Sequence, residues 1–192
     1  MSGQFIIAGL GNPGPKYAET RHNAGFWFLD ELARATGASF RSQSRLQADT
    51  ARLRLAGHDC ILLRPTTFMN HSGQAVRAVS DYFRVPVENM LVAYDELDLP
   101  PGTARLKKGG GHGGHNGMRD IFRHLANHEF LRLRIGIGHP GSRDAVTPYV
   151  LSRATAEQEK LIRGSISDAL EVLQDLLEGD LAAAMKQLHT VE

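Results

Sequence analysis

The chain has almost nothing with which to cross-link itself. Its 192 residues include one cysteine, Cys60, so no internal disulfide can form and a reducing, cytoplasmic setting is expected. No apolar run approaches the roughly 20 residues that a membrane helix needs. The first residues, MSGQFIIAGLGNPG, have neither the basic start nor the small-residue cleavage site of a secretory leader. Common hydrolase signatures are missing too. There is no G-x-S-x-G turn to present a serine nucleophile. His124 and His128 are four apart, but Leu125 stands where H-E-x-x-H requires Glu. Cys60 sits in an apolar stretch and reads as core. His112 and His115 have no cysteine or carboxylate cluster beside them, so no metal site is expected.

Charge of one sign is scarce overall and concentrated locally. The net charge is +1. Yet residues 101–134 hold seven basic groups against two acidic ones, and residues 151–192 hold four basic against eight acidic. A basic stretch in a near-neutral protein fits a polyanionic partner, although a solvated charged face has the same composition.

The apolar pattern alternates strand and helix. Phe5–Ala8, Cys60–Leu63, Met90–Tyr94 and Leu131–Ile137 read as buried strands, with a short one at Ala104–Leu106. Ala48–Leu55 alternates apolar and polar and should form a hairpin with Cys60–Leu63. Helices are expected over residues 23–36, stopped by Gly37, and over residues 73–83 and 117–126. Residues 155–177 read as one amphipathic helix, opened by a Thr155-x-x-Gln158 capping box. A short helix follows Gly179, with Leu181, Met185 and Leu188 as its stripe. The fold class is therefore α/β: a single domain over residues 1–192 with a mixed, mostly parallel twisted sheet flanked by helices. Residues 151–192 are expected to pack on it as C-terminal helices.

Gly9-Leu10-Gly11-Asn12-Pro13-Gly14 is a literal G-x-G-x-x-G after a strand. A dinucleotide turn opens at once into a helix whose N–H groups face the pyrophosphate. Here Pro13 and Pro15 bracket the last glycine, and a proline has no N–H to offer. The acids about 20 residues on, Asp30 and Glu31, fall inside the expected helix. No nucleotide cofactor is expected, and the glycines read as a backbone turn. That turn leaves Asn12 and His22 near the carboxyl end of a strand, where α/β proteins place their sites.

Three more loops follow strands in the same way. They are Pro65-Thr66-Thr67-Phe68-Met69-Asn70, Tyr94-Asp95-Glu96-Leu97-Asp98, and the glycine-rich run from Gly109 to Gly117 that includes His112, His115 and Asn116. Each Asn alone could be a turn or cap residue, and His22 a structural histidine. Together the loops supply a base, an acid to orient it and amide donors for a developing oxyanion. That set suits attack of water on an activated carbonyl, without metal or covalent intermediate.

These stretches, with Thr20-Arg21-His22-Asn23-Ala24-Gly25 and Arg132-Leu133-Arg134-Ile135-Gly136, resemble in order the motifs of the bacterial-type peptidyl-tRNA hydrolases. The resemblance covers about residues 5–153. It implies cleavage of the ester between a peptide and the 3′-terminal ribose of tRNA by a monomeric cytoplasmic enzyme that needs no cofactor. It also implies His22 as the base that activates water, Asp95 as its partner, and Asn12 as a catalytic amide. Tyr17, Met69, Asn70 and Asn116 would bind the peptide and the terminal nucleotide. Arg105, Lys107 and Arg134 would contact acceptor-arm phosphates, with Arg105 at a position where the family often has Lys. The readings that compete are an RNA-binding module without turnover, a nucleotide-dependent oxidoreductase and a metal-dependent hydrolase.

Overall fold

A computed structural model describes residues 3–190; the ends of the expected 1–192 domain, residues 1–2 and 191–192, lie outside the described residues. Phe5-Ile6-Ile7-Ala8 forms the middle of strand β1 (Gln4–Gly9), buried from Phe5 onward. A strand apolar on both sides needs a layer on each face, and the topology supplies them. The other strands are β2 (Arg41–Gln43), β3 (Ala48–Leu55), β4 (His58–Pro65), β5 (Met90–Glu96), β6 (Ala104–Lys108) and β7 (Leu131–Gly136). They form one seven-stranded sheet in the order β2-β3-β4-β1-β5-β7-β6. Its centre, β4-β1-β5-β7, is parallel. The edges are antiparallel: the β3–β4 hairpin with β2 outside it, and β6 against β7.

The helices are α1 (Ala24–Thr36), α2 (Ser72–Phe83), α3 (Asn116–His124), α4 (Val146–Val150), α5 (Ala156–Glu171), α6 (Leu173–Leu177) and α7 (Leu181–His189). On one face Phe28, Leu29 and Leu32 of α1 and Ile162 and Ile166 of α5 pack on Ile7, Leu91 and Leu133. On the other, Val76 and Val79 of α2 and Met118 and Ile121 of α3 pack on Ile6, Ala8 and Val92. The result is a three-layer α/β domain with its core split by the sheet.

The G-x-G-x-x-G glycines serve this packing. A Cβ on Gly9 would collide with the Gly25 carbonyl and stand 2.7 Å from Leu29, and one on Gly25 would lie 2.5 Å from the Leu10 nitrogen. Two glycines facing each other let the start of α1 sit directly against the end of β1. That close approach carries His22, just before α1, onto the carboxyl edge of the sheet.

Two expected features differ. Residues 155–177 form two helices, with a break at Val172 between α5 and α6. The capping box is half made. Thr155 Oγ1 accepts from the Gln158 N–H at 3.2 Å, but the Gln158 side chain instead accepts from Arg21. α7 covers the sheet edge, where Leu106 N–H donates to His189 Nε2 at 3.0 Å, blunting an otherwise open strand.

Candidate active site

Four strand-end loops converge on a cavity of about 250 Å³ at the carboxyl edge of the sheet. Asn12 enters from β1, His22 from the turn before α1, Met69 and Asn70 from the loop after β4, and Asp95 from β5. His115 and Asn116 enter from the start of α3, and Leu97, Val146, Val150 and Leu151 make an apolar wall.

His22 lies in a 3-10 turn, Arg21–Asn23, whose three residues are all buried. Arg21 ties this turn to the α4 wall. Its guanidinium donates to Tyr149 O at 3.0 Å and to Ser152 Oγ at 2.6 Å, and it lies over the Tyr149 ring at 3.9 Å. The imidazole of His22 turns the other way, and its Nδ1 is 2.8 Å from Asp95 Oδ2.

Asp95 is shared. Its second oxygen, Oδ1, is 2.7 Å from His115 Nε2. His115 also caps α3, its Nδ1 accepting from the Met118 N–H at 3.3 Å. An Nδ1 that accepts must be unprotonated, so the His115 proton is on Nε2 and points at Asp95. Asp95 therefore accepts from both rings. His22 donates through Nδ1, which leaves Nε2 of the neutral ring free to take a proton. Burial disfavours the charged form of His22, but the Asp95 carboxylate and its hydrogen bond outweigh burial and raise the His22 pKa. Burial also opposes ionisation of Asp95, yet the two imidazoles hold it well below the usual carboxylate range. The three side chains could offer ligand atoms to a cation. Each ring nitrogen, however, is at hydrogen-bond distance from its own carboxylate oxygen, which is the pattern of a base with its orienting acid.

Asn12 is held on every side but one. Its N–H donates to Asn23 Oδ1 at 2.8 Å and its carbonyl accepts from Asn23 Nδ2 at 2.9 Å. Its Oδ1 accepts from the Met69 N–H at 2.7 Å. Only Nδ2 remains, as a fixed donor at the cavity. Asn116 has Oδ1 engaged by Arg119 at 3.1 Å, so it too presents its NH₂. Met69 is buried and Asn70 exposed at the rim. Tyr17, expected beside the substrate, does not line this cavity. It meets the exposed ring of Phe68 edge to face, with centroids 6.2 Å apart.

The basic residues form a ribbon next to the site. Arg105 faces Arg134 and Lys107 faces Arg132 across β6–β7, so four cations share one side of the sheet. Arg134 donates to Glu96 at 2.8 Å, and Arg105 to His189 O at 3.2 Å. Arg132 is 1% exposed. It donates to the carbonyls of Gly110 and Gly111 and lies about 5 Å from the rings of Phe122 and Phe130. It anchors the glycine loop that leads to His115 and Asn116.

Sequence reasoning missed four features: His115 as the second partner of Asp95, Asn23 behind Asn12, Arg132 under the glycine loop and the α4 wall. Only Asn23 left a signal, as the neighbour of the proposed base.

A family model described as peptidyl-tRNA hydrolase matches residues 6–192. A peptidyl-tRNA hydrolase of Halorhodospira halophila is 53% identical, covering 96% of this chain and 95% of its own. One from Xanthomonas campestris is 51% identical and covers 99% and 98%. The crystal structure of the Acinetobacter baumannii peptidyl-tRNA hydrolase superposes with a TM-score of 0.95 at 46% identity, covering 100% of this chain and 97% of that one.

Proposed function

The chain belongs to the peptidyl-tRNA hydrolase family, hydrolases of the ester in peptidyl-tRNA, and we propose that it cleaves this ester by direct attack of water with His22 as general base. One observation carries the assignment: His22 Nδ1 is committed to Asp95 at 2.8 Å, so Nε2 is the nitrogen available to a water in the cavity. Nε2 takes a proton as the water oxygen bonds to the ester carbon, and Asp95 stabilises the imidazolium. The carbonyl oxygen becomes an oxyanion. Asn12 Nδ2, locked by Asn23 and Met69, donates to it without reorganising. The proton on His22 then passes to the leaving 3′ or 2′ ribose oxygen, giving free tRNA and a peptide carboxylate. Asn70, Asn116 and Met69 hold the peptide and the terminal nucleotide around this centre.

The β6–β7 ribbon is the contact for acceptor-arm phosphates, through Lys107, Arg105 and Arg134. The enzyme acts as a monomer in the cytoplasm. Its selectivity for blocked substrates follows from charge. Two acids line the cavity, and both are spent: Asp95 on two histidines and Glu96 on Arg134. The free amine of an unblocked aminoacyl-tRNA would enter as a desolvated cation with no carboxylate left to pair with.

The test is release of labelled N-acetyl-amino acid from its tRNA in EDTA, run beside the unblocked ester. Fast cleavage of the blocked substrate alone is expected. Loss of cleavage in EDTA would overturn the metal-free mechanism, and equal cleavage of both esters would overturn the charge argument.

A further inference from the structure

A second cavity, of about 270 Å³, lies behind Asn12. We propose that it is the subsite for the peptide beyond the esterified residue, an extension that rests on the hydrolase reading above. The two cavities share walls. Asn12 lines both. The loop after β1 gives Asn12 to the first, and Pro13, Gly14 and Ala18 to the second. β4 and the loop after it give Met69 and Asn70 to the first, and Pro65 and Thr66 to the second. The same two loops thus line the ester site on one side of Asn12 and this cavity on the other. Tyr17 and Phe68, one from each loop, also meet edge to face. Phe68 is 56% exposed.

The direction follows from strand order. The basic ribbon is β6–β7, the reacting residues are at β5 and β1, and the second cavity is at the end of β4 and the start of β3. A substrate with its polyanion on the ribbon and its ester at β5–β1 that continues in the same direction runs its peptide toward β4–β3. The chemistry also fits. Trp27, Phe26 and Pro13 offer apolar surface, while Asp30 and Asp49 flank Arg64 at 2.8 and 3.5 Å. Two carboxylates on one guanidinium leave acceptor capacity for peptide N–H groups.

Two readouts test this, and the first uses the only tryptophan, Trp27. N-acetyl-trialanine, a product analogue, should change Trp27 emission saturably, while N-acetylalanine should not. Second, kcat/KM is compared for N-acetyl-alanyl-tRNA and N-acetyl-trialanyl-tRNA on the same tRNA. The wild type should favour the longer peptide about tenfold, the low end of what a small apolar contact is worth. Thr66→Phe and Ala18→Phe, which fill the cavity from opposite loops at exposed positions, should bring the ratio near one and abolish the fluorescence response. A wild-type ratio of one, a ratio that survives both variants, or a response equal for both ligands would overturn the subsite. Failure to cleave either tRNA would instead overturn the hydrolase reading, with the Trp27 titration still deciding the cavity.

Discussion

Asp95→Asn changes one atom and should disable the base through a tautomer. The carboxylate accepts from His22 at 2.8 Å and from His115 at 2.7 Å. An amide of the same shape has one acceptor and one NH₂. If the NH₂ faces His115, that ring must move its proton to Nδ1 and the Met118 N–H loses its acceptor, at a cost of about 1–3 kcal/mol. If it faces His22, nothing is lost except that the His22 proton sits on Nε2. The second arrangement wins, and it removes the base. General base catalysis is worth about 10²–10⁴-fold, and an Asp→Asn change in a Ser-His-Asp triad costs about 10⁴ for the same reason. So kcat should fall by about 10²–10⁴ with KM nearly unchanged. The pH profile carries a second signature. The raised His22 pKa places the acid limb of wild-type kcat/KM above the ordinary histidine value of 6.5. Without the carboxylate only burial remains, and the limb of the residual activity moves below 6.5. Stability follows the same pair. The depressed Asp95 pKa stabilises the fold above the ordinary 3.8 and is lost as pH falls. The raised His22 pKa stabilises below 6.5 and is lost as pH rises through it. The melting-temperature deficit of the variant should therefore be largest between pH 4 and 6.5. Steady-state assays on N-acetyl-aminoacyl-tRNA from pH 5 to 9 decide the matter. A kcat within threefold of wild type, with the limb unmoved, would refute the tautomer argument.

Asn12→Ala removes a fixed donor and should lower kcat by about 10²–10³ in the same assay, with a much smaller change in KM. Arg134→Ala should raise KM more than it lowers kcat. The ratio of mutant to wild-type KM should shrink as salt rises, because one phosphate contact lowers the salt slope by about 1; a pure kcat defect would contradict the ribbon assignment. Burial pushes the Cys60 thiol up to about 11, so iodoacetamide at pH 7.5 should leave the native protein unlabelled by mass spectrometry and fully active.

Most of the sheet could be read from the chain because β1, β4 and β5 each contain an uninterrupted apolar run, and β3 and β7 alternate apolar with polar residues. What escaped lacks such a signal. β2, Arg41-Ser42-Gln43, is fully exposed and forms only because the β3 edge offers unpaired backbone groups. α4 is five residues with Pro148 among them. Proline is tolerated in a first turn, where its missing N–H would have no partner, but in sequence it reads as a breaker. The break at Val172 leaves the apolar stripe intact: Val172, Leu173, Leu176 and Leu177 are all buried, so periodicity runs through it.

The site was legible as a set of loops and illegible as a network. Spacing puts His22 and Asn116 in segments that follow strands and Asp95 at the end of one; it does not show that one carboxylate serves two histidines. Arg132 makes the point most sharply. In Arg132-Leu133-Arg134 the period of two puts both arginines on one face, opposite Lys107 and Arg105. Composition treats the four as equal, but like charges directly across a strand pair repel and must be neutralised separately. Glu96 does so for Arg134, while Arg132 is stabilised by the glycine-loop carbonyls and by the rings of Phe122 and Phe130. The ribbon proposed to meet the tRNA phosphates is therefore also the anchor of the loop that brings His115 to Asp95. In the proposed mechanism, recognition and catalysis thus draw on the same pair of strands, and the basic stretch and the glycine run are neighbours in the chain.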